Sequence, residues 1–418
     1  MKIFHIVHQY PPDHLGGTEL YTQDLARRQA TIGHEPVVFV PAADGHSDPE
    51  PARESGVRVY RRSIGPGNRQ AVFLSTFWNP VAQRALTRTL DCEQPDVLHI
   101  QHLMGLPASL LGALQKREIP YVVTLHDYWY FCANAQLLTN YDQTNCAGPD
   151  RYLNCAGCFL ARGGLPDGSV QRRAVAPLLT RRNSLLKPVL EQAQAIIAPS
   201  NFIRDEYIRL GAPAKRMIVV PHGIQAPEEM PPKGRPAAGE LNVAYLGGIA
   251  WQKGVHVLVE AANEMPAGIK ITIYGDLGIH QEYANGLQLQ ARNPGLTFSG
   301  RLEREKVWQV LVAADVIVVP SIWYENSPII VLEARTAGTP VIASDLGALP
   351  EQVVNDQDGL LFPAGNAAAL RKLLIELLAH PERLRELRNT IRPATRIEDH
   401  VRDIEALYRS VLGDTNSP

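Results

Sequence analysis

The sequence predicts an α/β protein built from two doubly wound parallel sheets facing a cleft, and three observations predict it. Short apolar runs of strand length alternate with helical stretches, the pattern of a parallel sheet covered by helices. The alternation stops once, at the proline-rich stretch Gln225–Glu240 (QAPEEMPPKGRPAAGE), and then restarts. At 418 residues the chain is also longer than one hydrophobic core fills.

The elements follow in order. In the first half Ile3–Val7, Glu35–Val40, Val97–Ile100, Tyr121–Leu125, Ala195–Ala198 and Met217–Val220 read as buried strands. Glu19–Ile32, closed by Gly33, and Pro107–Lys116 read as helices between them. In the second half the strands are Asn242–Leu246, Lys270–Tyr274, Leu296–Phe298, Asp315–Val319, Pro340–Ala343 and Gly359–Phe362. Val255–Ala262, Glu303–Ala314 and Ala367–Ala379 are the helices there. The expected division is a Rossmann-like domain over 1–224, a linker over 225–240, a second such domain over 241–392 and a terminal helical segment over 393–418.

Bulk properties exclude several classes. The 41 basic and 43 acidic residues balance, so no overall field attracts nucleic acid. The opening MKIFHIV is too short an apolar run for a signal peptide, and no run approaches the roughly 18 residues of a membrane span. The expectation is a cytoplasmic protein, with a peripheral place on the inner membrane surface as the second reading.

The densest chemistry lies in Tyr324–Ser344, YENSPIIVLEARTAGTPVIAS. Glu325 follows a buried strand. Ser327 suits a helix N-cap and Pro328 the first position of a helix that carries Glu333 and ends at Gly338. Two carboxylates and a helix N-terminus then converge at the mouth of a parallel sheet, where α/β proteins bind ligands. Carboxylates suit paired sugar hydroxyls, and a helix N-terminus suits a diphosphate. Gly16-Gly17-Thr18-Glu19, after the first strand, offers close backbone approach at another helix start. It is not a dinucleotide fingerprint, and no Walker-type loop occurs.

These motifs, in this order and along nearly the whole chain, resemble the family 4 retaining glycosyltransferases, whose architecture is GT-B. The resemblance implies transfer of a hexose-like sugar from a nucleoside diphosphate sugar to a glycan or lipid-linked acceptor, without a catalytic metal. It makes Glu325 the donor-sugar residue and Glu333 the ribose residue, with Ser327, Pro328 and Ile329 at the donor. It sets Gly16 and Gly17 beside the diphosphate or acceptor, and His126 of His126-Asp127 toward donor sugar and acceptor. In Tyr245–Gly254, YLGGIAWQKG, Lys253 matches the family lysine that neutralises the leaving diphosphate, while Gly248 stands where the family has arginine. Arg301 is the expected substitute cation. Competing readings are a nucleotide-sugar epimerase of the same architecture and a non-catalytic sugar-nucleotide or glycan binder.

Two segments fall outside that reading. Cys132, Cys146, Cys155 and Cys158 cluster in the insert 132–158, and the last pair has CxxC spacing. A structural metal is expected there, zinc first and an iron–sulfur cluster second, because the insert looks too polar to fold by burial alone. Arg162, Arg172, Arg173, Arg181, Arg182 and Lys187 face one acid, Asp167, with leucines interleaved. That composition fits an anionic lipid surface, a lipid-linked diphosphate, or a solvated basic helix.

Overall fold

The computed structural model describes residues 1–42, 50–65, 67–232 and 239–413. Residues 233–238 of the expected linker lie outside the described residues. The chain forms two compact units, one comprising Met1–Gly223 with Ile397–Pro418, the other Ile224–Arg396.

The first unit holds strands β1 (Lys2–Ile6), β2 (Glu35–Ala42), β3 (Ala52–Glu54), β4 (Val57–Ser63), β5 (Val97–Ile100), β6 (Tyr121–Thr124), β7 (Ala195–Ala198) and β8 (Met217–Val219). They form one sheet in the order β3-β4-β2-β1-β5-β6-β7-β8, parallel apart from β3 against β4. The chain builds outward from β1 through β2 to β4, then returns to the other side of β1 as β5. The strand order therefore reverses between β1 and β5, and a crevice opens there at the strands' C-terminal ends. β5, β6 and β7 are buried at every position, which is why each reads as an unbroken run of strand residues.

The second unit holds β9 (Leu241–Leu246), β10 (Ile269–Tyr274), β11 (Leu296–Gly300), β12 (Val316–Val319), β13 (Val341–Ser344) and β14 (Gly359–Phe362). Its sheet is wholly parallel in the order β11-β10-β9-β12-β13-β14, so its reversal point lies between β9 and β12. Alternate strand residues feed two cores. Val243, Val316 and Val318 pack on one face with the helices Val255–Asn263 and Ala367–Ala379. Ala244, Ile317 and Val319 pack on the other with Val307–Ala313 and Ile329–Thr336.

Several elements differ from expectation. β3 and β4 form a hairpin absent from the expected strands; Ser55 and Gly56 both take positive φ, 50° and 84°, as a two-residue turn of this twist demands. A 24-residue helix, Ser169–Gln192, which the expected helices did not include, runs through Pro177 and Pro188. Ser327 is not the N-cap. Pro328 takes that place with ψ 119°, the helix starts at Ile329, and Ser327 Oγ instead accepts a hydrogen bond from Gln352 Nε2 at 2.8 Å.

The terminal helix, Ile397–Leu412, belongs to the first unit and packs on the helix Gly17–Thr31. Its buried His400 and Tyr408 enter the polar core beneath that helix. His400 Nδ1 donates to the Pro221 carbonyl at 2.8 Å, leaving Nε2 to accept from Tyr21 Oη at 2.8 Å.

Candidate functional site

In the second unit the chain leaving β9 turns through Gly247 and Gly248 into a short 3₁₀ turn, Trp251–Lys253. Gly254 closes the turn at φ 69°, and a Cβ there would lie 1.8 Å from the Pro320 carbonyl oxygen. Only glycine lets this turn press against the end of β12. That contact brings Lys253 Nζ to 2.8 Å from Glu325 Oε1, in a pair whose side chains are 31% and 5% exposed. Ser321 Oγ donates to the same oxygen at 2.6 Å, and the Trp323 ring lies 5.0 Å from Nζ. Ala348 N–H donates to the Glu325 carbonyl at 3.0 Å, fixing the loop from behind.

Glu333, 2% exposed, sits in the first turns of its helix and pairs with Arg304. Burial pushes its carboxyl above the usual range and Arg304 opposes that. Among the described residues Arg301, three positions earlier, is exposed and makes no ion pair; the cation this loop delivers to a glutamate is Arg304. Arg304 was missed because charge alone does not distinguish it from its neighbours. Space is open around Gly248: a Cβ added there would meet no atom within 4 Å, and its φ is not positive. Its carbonyl accepts from Tyr245 Oη at 2.7 Å.

In the first unit three strand ends each deliver a histidine to the reversal point: His8 after β1, His102 after β5 and His126 after β6. Gly16 is the N-cap of the Gly17–Thr31 helix with φ −82°, so the glycine is there for close approach and not for a left-handed turn. A Cβ at Gly16 would stand 2.4 Å from Glu19 Oε2: the helix's own carboxylate folds back over the loop expected to take an anion. Glu19 Oε1 lies 3.4 Å from His8 Nε2, and burial pushes the Glu19 carboxyl upward.

The His8 and His102 rings are 4.2 Å apart, and His102 Nε2 donates to Asp127 Oδ2 at 3.0 Å while Nδ1 accepts from Met104 N–H. His126 Nε2 donates to Gln101 Oε1 at 2.8 Å, and burial lowers its pKa to about 3, so the ring is neutral. Tyr21 and His222 pack against it, their rings 5.0 and 5.4 Å away. His8, Glu19, His102 and His222 were not assigned from sequence, although three histidines at three strand ends was a readable signal.

The cysteine insert packs on the Ser169–Gln192 helix. Among the described residues no three His, Cys, Asp or Glu side chains stand in metal-ligand geometry, yet the four thiols are neighbours: burial, then Cys132, Cys146 and Cys158, push the Cys155 thiol up. All are free thiols. The Cys158 sulfur accepts from Asn140 N–H, the Cys146 sulfur from Gly148 N–H, both at 3.4 Å, and Cys155 packs among Ala176, Leu179 and Phe159. The segment and its approach also bury apolar side chains. Tyr128, Trp129, Tyr130, Leu137 and Leu138 are buried, and the guanidinium of buried Arg182 donates to the Trp129 carbonyl at 2.7 Å and lies 4.7 Å from its ring.

Comparison with known proteins agrees with this geometry. Residues 15–226 match the model of Glycosyltransferase Family 4, and residues 227–396 match Glycosyl transferases group 1. The glycogen synthase of Mycobacterium tuberculosis is 27% identical over 94% of this chain and 90% of its own length. The D-inositol 3-phosphate glycosyltransferase of Xylanimonas cellulosilytica is 25% identical over 91% and 88%. Among solved structures, sucrose-phosphate synthase from Thermosynechococcus elongatus superposes with a TM-score of 0.71 at 22% identity, covering 99% of this chain and all of that one. Anabaena Alr3699/HepE in complex with UDP and glucose superposes at 0.68 with 16% identity, covering 98% and 100%. Two parallel-sheet α/β units with these neighbours define a glycosyltransferase of GT-B architecture. The chain belongs to glycosyltransferase family 4.

Proposed function

We propose that the protein is a retaining transferase that moves a hexose-like sugar from a nucleoside diphosphate sugar to a glycan or lipid-linked acceptor. The observation that carries this reading is the Lys253–Glu325 pair at the reversal point of the second unit, with Glu333 on the adjoining helix. Lys253 neutralises charge on the departing diphosphate, the largest barrier-lowering contribution in such a transfer. Glu325, held by Ser321 and Lys253, receives the sugar hydroxyls. Glu333 exchanges its Arg304 partner for the ribose hydroxyls. The Ser327-Pro328-Ile329 helix entry supplies the remaining donor contacts in this unit. Neutral His126 accepts from sugar or acceptor hydroxyls. The leaving phosphate oxygen takes the acceptor proton on the face from which it departs, so no carboxylate nucleophile and no metal is required. UDP is the first donor base to test, since the solved neighbour Alr3699/HepE holds UDP and glucose.

Thermal unfolding with excess UDP, GDP, ADP and dTDP, each with and without chelator, tests the donor site. The matching nucleotide at about 100 times its Kd should add roughly 2.7 kcal/mol, undiminished by chelator. NMR of the glycoside formed from that donor should show the anomeric configuration kept. No shift with any nucleotide, or an inverted product, contradicts the proposal.

The open space at Gly248 gives a second expectation. The Cβ of Gly248→Arg meets no atom within 4 Å, and the variant would supply the second diphosphate cation. Turnover should rise about tenfold or more, since single preorganised charges are commonly worth that much. Unchanged turnover in a folded variant would mean that Arg304 or another group already supplies the charge.

A further inference from the structure

The basic segment on the Ser169–Gln192 helix sorts into two sets. Arg172 pairs with Asp167 at 2.5 Å and lies over Tyr141, Arg182 is buried against Trp129, Lys187 pairs with Glu191 at 3.2 Å, and Arg162 donates to Asn134 Oδ1. Arg173 and Arg181 are different. With Arg151 from the loop before Leu153, they line a surface groove of about 500 Å³ whose floor is Leu153, Ala176 and Pro177. Among the described residues these three arginines have no ion-pair partner. The hydroxyls of Thr180 and Ser184, also on the groove, donate to the helix carbonyls of Ala176 and Thr180, so the arginines are its available donors.

The groove's helix face continues into exposed apolar side chains. At about 100° per residue, Val170, Arg173, Pro177, Arg181 and Ser184 fall on one stripe. Val170 is 72% exposed, Leu165 just before the helix 52%, and Leu178 beside the stripe 36%. A soluble phosphate would be met by the arginines alone and has no use for the apolar side chains. A phospholipid surface uses both, guanidinium on the phosphodiester and aliphatic side chains at the acyl boundary. We propose that this groove docks the protein on an anionic lipid surface, with Arg151, Arg173 and Arg181 taking the headgroup phosphates and Val170 and Leu165 entering the interface. The groove shares no residue with the proposed donor site and would present a membrane-borne substrate to this unit without a spanning helix; none of the described helices is long and apolar enough to cross a membrane.

Co-sedimentation of the full chain with vesicles is the test. Vesicles of phosphatidylcholine with about a third phosphatidylglycerol should pellet the protein, those of phosphatidylcholine alone should not, and salt should weaken the binding. The double variant Arg173→Gln/Arg181→Gln should bind about 30-fold more weakly, the usual contribution of one basic residue at an anionic surface taken twice. Val170→Asp should weaken it too. Arg173, Arg181 and Val170 are all exposed, so an unchanged thermal midpoint without ligand separates lost docking from lost fold. Equal pelleting with both vesicle types, no pelleting at all, or full binding by the double variant would overturn the proposal. So would release of bound protein by inorganic pyrophosphate at constant ionic strength, which would mark the groove as a soluble phosphate site.

Discussion

Acidification from about pH 7 to pH 5 should unfold the first unit, through the histidines buried in its polar core. His5, His99 and His400 are fully buried, His222 is 5% exposed, and His126 lies beside them. Burial lowers His5 and His400 to about 4, His126 to about 3, and His99 and His222 well below the ordinary value. The unfolded chain binds protons near pH 6.5 that the folded chain refuses, so stability falls as pH falls through that value. Each histidine gives up about 2 kcal/mol between pH 7 and 5, and five together about 10 kcal/mol, comparable with the whole stability of a domain. Glu19 works the other way, since a buried carboxyl with a raised pKa regains a little stability on protonation. In the second unit, among the described residues, His256 is the only histidine that is lowered. Hydrogen exchange at falling pH should therefore open the amides of 1–223 before those of 224–396. Simultaneous opening of both, or a midpoint insensitive to pH in this range, would refute the assignment of neutral histidines.

Replacing Lys253 by alanine should lower kcat by about 10²- to 10³-fold, the loss seen when one preorganised charge is removed from a developing anion. The chemical step should suffer more than donor affinity, so KM for the donor should move far less than kcat. A stability cost of about 1–2 kcal/mol should accompany it, because Glu325 is left nearly buried without its cation. The cost is smaller than for a fully buried pair, as Lys253 is partly exposed. Lys253→Arg keeps the charge and should recover stability ahead of turnover. Steady-state kinetics together with denaturant unfolding of both variants separate the two effects. Turnover by Lys253→Ala within a few-fold of the parent would remove Lys253 from the reaction.

The parallel sheets were legible because their strands are buried on both faces. β5, β7 and β14 have the bounds expected from their residues, since burial leaves no polar position to blur the ends. The β3–β4 hairpin was not legible. Arg58, Arg61 and Arg62 interrupt its apolar pattern, and two of them are satisfied by acids and a carbonyl that only the fold brings near. Glu325 and Glu333 could be singled out because one short loop and the helix after it carry them, and Lys253 because its motif resembles the family's. Histidines at three strand ends hinted at the His8–Glu19–His102–Asp127 group, but spacing does not say which of its members meet, since they arrive from three strand ends and a helix start. The packing of the cysteine insert was hidden for a related reason. Its anchors, Tyr128 to Tyr130 and Arg182, lie outside the cysteine spacing that drew attention.

Tyr408, four residues from the end of the last helix, shares a 2.6 Å hydrogen bond with His99 Nδ1, whose Nε2 meets Thr124 Oγ1 at 2.6 Å. Gln29 Nε2 also reaches Tyr408, at 3.5 Å, while its Oε1 accepts from His5 Nε2 at 2.7 Å. The sheet of the first unit therefore emerges from the ribosome with His99 Nδ1 lacking its Tyr408 partner. Completion waits until all of Ile224–Arg396 has been synthesised, roughly ten seconds or more at ordinary elongation rates. A stop codon anywhere in the second half therefore yields a first unit without the helix that completes it.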